Sequence, residues 1–301
     1  MRLAGAVDIG ATNTKIGVVG EDGRIIRRAT VSTKAGAHQP ELLIDAIAAE
    51  LKPMLDAMSD ERNQVAALGV AIAGFLDREH TMMIANANLV ALCDFPLRRA
   101  FEERFELPCH LEVDSNASTV ADYRYGKGRG ATRLLGMTVG TGVGGGVIIG
   151  GRLIRFTGEC VGDPGHVIVT PNGRQCTCGA KGCLEAEICS AAVAERAGRR
   201  TAAEVIVAAK KGEQFAIDAF AETGHLLGLG LASLSPIFAP DIIVVGGGVA
   251  SVGDILLEPT RASYAEQAGD EFRGKTSIVG SAFDGWEGIV GAGSLALSPL
   301  E

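Results

Sequence analysis

The chain has 301 residues, 47% of them hydrophobic, so it can bury a large core in one large or two moderate domains. Its 28 Lys and Arg against 36 Asp and Glu give a net charge of -8, and only one Trp and three Tyr could stack on bases, which disfavours nucleic acid as a partner. No segment approaches the roughly 20 apolar residues of a membrane span, and the amino terminus lacks a signal-peptide apolar run. We therefore expect a cytoplasmic protein with no membrane partner.

The first part of the chain alternates predicted strands and helices. Apolar or alternating runs predict strands within residues 3–10, 14–20, 24–33, 65–77, 81–89 and 109–116. Apolar residues at helical spacing predict helices over 40–58, 96–106 and 117–126. Strands that alternate with helices indicate α/β layers.

The second part repeats this pattern after residue 133. Two apolar runs flank a glycine cluster within 133–154, helices are predicted over about 190–234, and 240–246 is a strand that ends in glycines. Residues 285–298 predict a last helix that packs back on the first part. The recurrence of strand, glycine turn and strand hints at a duplicated fold.

Three glycine-rich segments each follow a predicted strand: DIGATNTK at 8–15, GTGVGGG at 140–146 and GGGVAS at 246–251. Glycine permits positive φ and lets backbone N–H groups approach a phosphate with no Cβ in the way. Thr12 and Thr141 would add hydroxyl donors. None of the three is a Walker loop, and any single one can be a tight turn. Three in one chain favour phosphate binding.

Two aspartates stand at the ends of predicted strands. Asp114 precedes a predicted helix, where it can be either the N-cap or the base that orients an acceptor hydroxyl and takes its proton during phosphoryl transfer. The residues alone leave both interpretations open. Asp8 ends the first strand, where a carboxylate could hold Mg²⁺ through water beside nucleotide phosphates.

Three cysteines fall within eight residues, ten positions after a histidine. The four side chains have the ligand types of a closed tetrahedral Cys₃His zinc site: His166, Cys176, Cys178 and Cys183. The alternatives are a redox pair, for which C-x-C is not the usual spacing, and a chance cluster of buried thiols; we favour a structural zinc ion. The second nitrogen of His166 would then face a substrate, with Glu185 held by the same loop.

These motifs together resemble those of the ROK family of repressors, open reading frames and sugar kinases, within the actin-like ATPase fold. DIGATNTK and GTGVGGGVI look like its two phosphate loops, VDSNAS is similar to its catalytic N-D-A-N-A-A, and PDIIVVGGGV resembles its adenosine segment. GVAIAGFLD, the NL at 88–89 and FPL resemble its sugar-side segments. GDPGH and CTCGAKGCLE resemble its E-x-G-H and zinc signatures, which are the most specific of the set.

The resemblance implies an α/β, two-lobed actin-like ATPase (ribonuclease H-like) fold with a structural zinc loop. The small lobe would span 1–115, with the helix at about 287–301 packing back on it. The large lobe would span 116–286 and contain the zinc loop 166–183. The implied partners are ATP, Mg²⁺, a structural Zn²⁺, a small-molecule sugar or sugar-like substrate and a second copy of the chain in a homodimer.

By the same resemblance Asp114 is the catalytic base that deprotonates a sugar hydroxyl. The residues implied to line the sugar are Gly74, Asn88, Asp114, Asp163, His166 and Glu185. The residues implied to hold ATP and Mg²⁺ are Asp8, Gly10, Ala11, Thr12, Asn13, Gly140, Thr141, Gly142, Gly145, Gly247 and Gly248.

Three positions depart from the family pattern on the sugar side. Val113 stands where an Asn usually precedes the catalytic Asp, Asp163 followed by Pro164 replaces the Glu of E-x-G-H, and Leu92 replaces a common aromatic. A changed polar partner alters discrimination by a few kcal/mol. We expect an ATP-dependent kinase whose acceptor differs from plain glucose: another hexose, an amino sugar such as kanosamine or an N-acylhexosamine, or a sugar-like cyclitol. The alternative is a non-catalytic sugar-sensing regulator of the same fold.

Overall fold

The computed structural model describes residues 1–36, 39–58, 64–86, 89–155 and 163–300, and it divides the chain into two compact units. The first unit comprises Met1–Tyr125, Gly151–Gly162 and Trp286–Glu301, and the second comprises Gly126–Gly150 and Asp163–Gly285. The first unit therefore extends beyond the expected limit at residue 115, because the helix that follows packs against the carboxyl-terminal helix of the same unit.

The elements are numbered in chain order. The strands within the described residues are β1 (Arg2–Ile9), β2 (Asn13–Gly20), β3 (Ile25–Ser32), β4 (Gln64–Ile72), β5 (Phe75–Leu76), β6 (Met83–Ala85), β7 (Cys109–Val113), β8 (Arg133–Val139), β9 (Val143–Ile149), β10 (Arg152–Ile154), β11 (Ile242–Gly246) and β12 (Ser277–Gly280). The helices are α1 (Pro40–Asp56), α2 (Leu97–Phe105), α3 (Asp114–Tyr125), α4 (Leu184–Ile188), α5 (Ser190–Arg196), α6 (Ala202–Lys210), α7 (Gln214–Phe238), α8 (Asp254–Gln267) and α9 (Glu287–Leu297). No described helix is both long and apolar enough to cross a membrane.

The sheet of the first unit has the strand order β3-β2-β1-β4-β7. The neighbours β3, β2 and β1 are antiparallel, whereas β1, β4 and β7 run parallel. Ile9 pairs with Ile72, and Ile72 pairs with Val113, so the last residues of the three parallel strands form one row. Whatever follows these residues in the sequence begins at the same edge of the sheet.

Each face of this sheet is covered by helices. Alternate side chains such as Val7 belong to a core cluster with α1 and α2, while Ala6 on the other face packs with Ile289 of α9. The backbone of α9 lies so close to β4 that a Cβ on Gly69 would overlap the carbonyl group of Ala292. Glycine at position 69 is therefore required by this close approach.

In the second sheet, whose strand order is β10-β9-β8-β11-β12, the four strands β9-β8-β11-β12 repeat the arrangement. The β8–β9 pair is antiparallel, and β8, β11 and β12 run parallel. This order matches β2-β1-β4-β7 of the first unit in both sequence and direction, which supports the duplicated fold inferred from the glycine turns. Helices α7 and α8 pack against each other within the unit.

Two parts of the secondary structure differ from the sequence-based expectation. The strand predicted to reach residue 116 ends at Val113, and α3 begins at Asp114, because side-chain hydrogen bonds at the junction favour a direct change from strand to helix. Helix α8 and strand β12 were not predicted. Pro259 lies inside α8 and obscures its helical pattern, and β12 has only four residues.

Candidate functional site

The carboxyl edge of the first unit's sheet carries a tight glycine turn. Residues 10–12 join β1 to β2, and the Gly10 N–H donates to the Asn13 carbonyl at 3.2 Å. Gly74 follows β4 at the same edge with φ of 115°, a left-handed conformation that favours glycine. The predicted residues Ala11 and Thr12 occupy this turn, so the structure brings the first glycine segment and Gly74 to one sheet edge.

Asp8 is the penultimate residue of β1, and its side chain is partly buried. Its carboxylate contacts the first turn of α9 at Gly288, where any Cβ would collide with it. Burial, with a smaller effect from the negative charge of Asp114, raises the pKa of Asp8 from 3.8 to about 7, and Lys15 opposes the shift. Burial disfavours the ionised form of Asp8, and a bound cation would offset that penalty. Asp8 therefore fits the predicted Mg²⁺ role.

Lys15 also lies beside Asp8, although the sequence motifs did not identify it as a site residue. It pairs directly with Asp8 across the β1–β2 hairpin, and its Nζ lies 5.8 Å from the centre of the Trp286 ring. Arg28 lies over the same ring at 4.6 Å, and the buried Glu287 begins α9 close by. The length of the hairpin turn could have predicted this pairing, because three residues between Ile9 and Asn13 place residue 15 opposite residue 8.

Asp114 is the first residue of α3, directly after the last residue of β7. Its Oδ1 accepts a hydrogen bond from the N–H of Ser115 at 2.7 Å, and its side chain is partly exposed. The amino terminus of a helix stabilises a negative charge. The structure therefore places Asp114 on the same row of strand ends as the 10–12 turn and Gly74.

Two glycine segments meet at the carboxyl edge of the second unit's sheet. Residues 140–142 join β8 to β9, and the Gly140 N–H donates to the Gly142 carbonyl at 2.8 Å. Gly247 has φ of 90°, and a Cβ there would overlap the backbone of Val139. Glycine at position 247 is therefore required both by its positive φ and by this close approach, which brings the 247–248 segment beside the 140–142 turn.

Gly145 belongs to a different contact. It lies within β9, where a Cβ would meet the ring of Pro164, and a Cβ on Gly165 would overlap the carbonyl of Val143. Both glycines let the turn that contains Asp163 and His166 pack closely on β9.

The predicted metal ligands converge in the second unit. The ligand atoms of His166, Cys176, Cys178 and Cys183 all lie within 4.8 Å of one another. The Cys176 Sγ to His166 Nδ1 distance and the Cys178 to Cys183 Sγ distance are both 3.6 Å. Ligand atoms around tetrahedral zinc, with Zn–S near 2.3 Å, lie about 3.5 to 3.8 Å apart. The donor set and spacing therefore fit zinc.

Glu185 connects this cluster with the second glycine segment. Its Oε2 accepts the N–H of Val143 at 3.0 Å, and its Oε1 lies 3.7 Å from the Cys176 Sγ. A Cβ on Gly142 would lie 2.6 Å from Oε2. Ser190 makes a second contact with the 140–142 turn, because its hydroxyl donates to the Gly140 carbonyl at 2.8 Å. Glu185 and Ser190 thus link the segment that follows the cysteine loop to the 140–142 turn and the start of β9.

Asp163 and His166 bracket a short 3₁₀ turn. Asp163 Oδ1 accepts the Gly165 N–H at 2.9 Å, and its Oδ2 lies 3.9 Å from His166 Nε2. Because Nδ1 of His166 faces Cys176, a metal on that nitrogen leaves Nε2 toward Asp163. Burial raises the pKa of Asp163, with Glu185 adding to the effect and the Gly165 hydrogen bond opposing it.

Two sugar-side expectations have a different outcome. Asn88 lies outside the described residues. Asn86 donates to the Ala73 carbonyl at 2.6 Å and accepts the Leu89 N–H at 2.9 Å. Leu92 was expected to replace a sugar-facing aromatic, but it has no exposed surface and belongs to the core cluster of the first unit. Its place in the sequence did not reveal that it is a core residue.

Comparisons with known proteins identify a family. The model of the ROK family matches residues 4–298. The chain is 32% identical to the glucokinase of Streptomyces coelicolor over 99% of both proteins, and 32% identical to an N-acetylmannosamine kinase of Escherichia coli over 92% of this chain and 96% of that protein. Its structure is similar, with a TM-score of 0.88 and 32% identity, to a crystal structure of a ROK family glucokinase from Streptomyces griseus in complex with glucose and AMPPNP, covering 98% of this chain and 99% of that one.

Proposed function

The chain belongs to the ROK family and is an ATP-dependent sugar kinase, and we propose that it phosphorylates a hydroxyl of a modified hexose, an amino sugar or a sugar-like cyclitol with Asp114 as the base. The observation that carries this assignment is the position of Asp114. It stands at the junction of β7 and α3, on the same row of strand ends as the 10–12 turn.

The proposed reaction needs one proton transfer and one phosphoryl transfer. The Asp114 carboxylate accepts the proton of the sugar hydroxyl while the hydroxyl oxygen attacks the γ-phosphorus of ATP. The new O–P bond forms as the bond between the γ-phosphorus and the β,γ-bridging oxygen breaks, and ADP leaves with that oxygen. Asp114 then releases its proton to solvent.

The glycine segments are assigned to the nucleotide. Backbone N–H groups within 10–13, 140–142 and 247–248 would hold phosphate oxygens, except those of Gly10 and Gly140, which already donate within their own turns. The glycines among these residues carry no Cβ that could block the approach. Mg²⁺, when bound near Asp8, would neutralise phosphate charge. A zinc ion on the four clustered ligands would be structural, since it leaves no open coordination position.

The sugar is assigned to Gly74, Asn88, Asp163, His166 and Glu185 together with Asp114. Acceptor choice is proposed to depend on Asp163, which is one methylene shorter than Glu and already uses one oxygen to hold its own turn. A shorter carboxylate leaves room for a substituent larger or more polar than a sugar hydroxyl. Asp163→Glu is expected to shift kcat/KM toward glucose by about 10-fold or more relative to the preferred acceptor.

The test is a coupled assay of ADP release with zinc-replete protein. The acceptors are glucose, mannose, fructose, N-acetylhexosamines, 3-amino-glucose and several cyclitols. Asp114→Asn is the catalytic blank, and the exposed Asp218→Asn, whose carboxylate only contacts Gln214, is the matched control. We expect one acceptor to give turnover that Asp114→Asn abolishes and Asp218→Asn retains.

A silent panel from protein that still binds ATP would contradict the kinase assignment and favour the sugar-sensing regulator. Ligand-induced thermal shifts with the same panel would then identify the sugar. Equal turnover by Asp114→Asn and the unaltered chain would contradict the role of Asp114 alone.

A further inference from the structure

A buried carboxylate lies two residues before Asp114 at the end of β7. Glu112 has no exposed surface. Its Oε1 accepts the N–H of Val113 at 3.0 Å and the side-chain Nδ2 of Asn116 at 3.1 Å. Residues 112 and 116 thus flank Asp114 from the strand side and from the first turn of α3, and one oxygen atom joins them.

The second oxygen of Glu112 forms an ion pair. Arg155, directly after β10, donates from Nε to Glu112 Oε2 at 2.9 Å, and its Nη1 donates to the Leu300 carbonyl at 2.8 Å. Arg155 therefore ties the carboxylate to the carboxyl-terminal segment of the same unit. Every oxygen of Glu112 has a partner, so its position is fixed from three directions.

Two histidines complete the surroundings of this carboxylate. His80 Nδ1 lies 3.0 Å from the Leu111 carbonyl and 3.9 Å from Glu112 Oε1. His110 Nε2 lies 4.0 Å from Glu112 Oε2, and burial lowers the pKa of His110, against the attraction of Glu112. Arg155, at 2.9 Å, is the closest basic side chain to Glu112, and both histidines lie about 1 Å farther away.

We propose that Glu112 is a positioning residue for the proposed kinase reaction: by joining Val113 to Asn116, its carboxylate holds the strand-to-helix junction so that Asp114 is aimed at the acceptor hydroxyl. The inference rests on the proposed function. Buried ion pairs seldom add net stability compared with apolar residues of similar volume. Stability alone therefore does not explain a fully buried carboxylate here, whereas a displacement of a catalytic group by about 1 Å can cost 100-fold in rate.

Charge and positioning are separated by two double variants. Glu112→Leu with Arg155→Met removes the ion pair and the junction acceptor together, and Glu112→Gln with Arg155→Met removes the charges but keeps an oxygen for Val113 and Asn116. Neither variant leaves an unpaired buried charge, but the Leu/Met chain also leaves the Val113 N–H and the Asn116 Nδ2 without their acceptor and should melt at a lower temperature. Melting curves of both variants therefore check that kcat is compared between folded chains. We expect the Leu/Met variant to lose kcat by about 10- to 100-fold with little change in KM for ATP, and the Gln/Met variant to stay within about fivefold of the unaltered chain.

A further variant keeps the inference testable if the Leu/Met chain does not fold. Asn116→Ala removes the other half of the junction contact and should also lower kcat by about 10-fold. The exposed Glu103→Gln, which only loses a surface contact with Arg99, should leave kcat unchanged.

The outcomes separate this inference from the function on which it rests. If the unaltered chain releases no ADP with any acceptor, the proposed function and this inference both fail. If the unaltered chain is active and the Leu/Met variant has full kcat, or Asn116→Ala has full kcat, only the positioning role of Glu112 is overturned.

Discussion

Replacing Asp8 by Asn should stabilise the ligand-free protein while it removes activity. Burial and the charge of Asp114 raise the pKa of Asp8 from 3.8 to about 7 in the folded chain. Between these values the folded state binds more protons than the unfolded state, so the free energy of unfolding falls as pH rises through this window. The penalty is absent below the unfolded pKa and complete above pH 7.

The size of the effect follows from the pKa change. A carboxyl group whose pKa moves from 3.8 to about 7 loses at most about 4 kcal/mol of folding free energy at pH 8. Asp8 is only partly buried and Lys15 lies opposite it, so solvent screening reduces this to about 1 to 2 kcal/mol. Asp8→Asn should be more stable than the unaltered chain by that amount at pH 8, and the gain should shrink toward pH 4.

Urea unfolding at several pH values between about 4.5 and about 8, without Mg²⁺ or nucleotide, measures this difference. Asp270→Asn is the matched control, since its carboxylate is 95% exposed and its change should be small at every pH. An Asp8→Asn chain that is no more stable than the unaltered chain at pH 8, or a gain that does not vary with pH, would refute the reasoning. ADP release should be lost in the same variant.

Three further outcomes are expected from the described contacts. Chelation of the proposed zinc ion, or Cys183→Ser, should lower the Tm and raise the KM for ATP together; metal content and melting curves check this, and an unchanged Tm after chelation would contradict it. Glu185→Ala should raise the KM for ATP by about 10-fold or more, because the 140–142 turn loses a charged acceptor; initial-rate kinetics test it, and an unaltered KM would count against it. Gly69→Ala should destabilise by about 1 to 3 kcal/mol through overlap with Ala292, whereas Gly269→Ala, in open space, should change the urea midpoint little.

Local sequence patterns predicted the groups that follow parallel strands. Asp8, the 10–12 turn, Gly74 and Asp114 were each placed at a strand end, and the row from Ile9 through Val113 brings those ends together. The cysteine cluster was predicted equally well, since a short loop keeps its ligands close in the chain. In both cases the decisive contacts are local or follow from strand direction alone.

Contacts between distant segments could not be predicted in this way. The pairing of Glu112 with Arg155, the overlap of Gly69 with Ala292 and the burial of Leu92 all depend on tertiary packing. A charged residue in a strand otherwise suggests a solvent-facing position, so Glu112 gave no sign of complete burial. The link from Glu185 to Val143 was missed for the same reason, because it joins a helix to a turn far away in the chain.

Of the three departures from the family pattern, the structure leaves one with a direct polar role. Leu92 is enclosed in the core, and Val113 packs partly against that core while its N–H is bonded to Glu112. Neither side chain offers a polar group to an acceptor. Asp163 does, through the oxygen that lies 3.9 Å from His166 Nε2. If the acceptor differs from glucose, we expect the difference to lie in the substituent that Asp163 and His166 are proposed to recognise, because polar groups discriminate far more strongly than apolar ones.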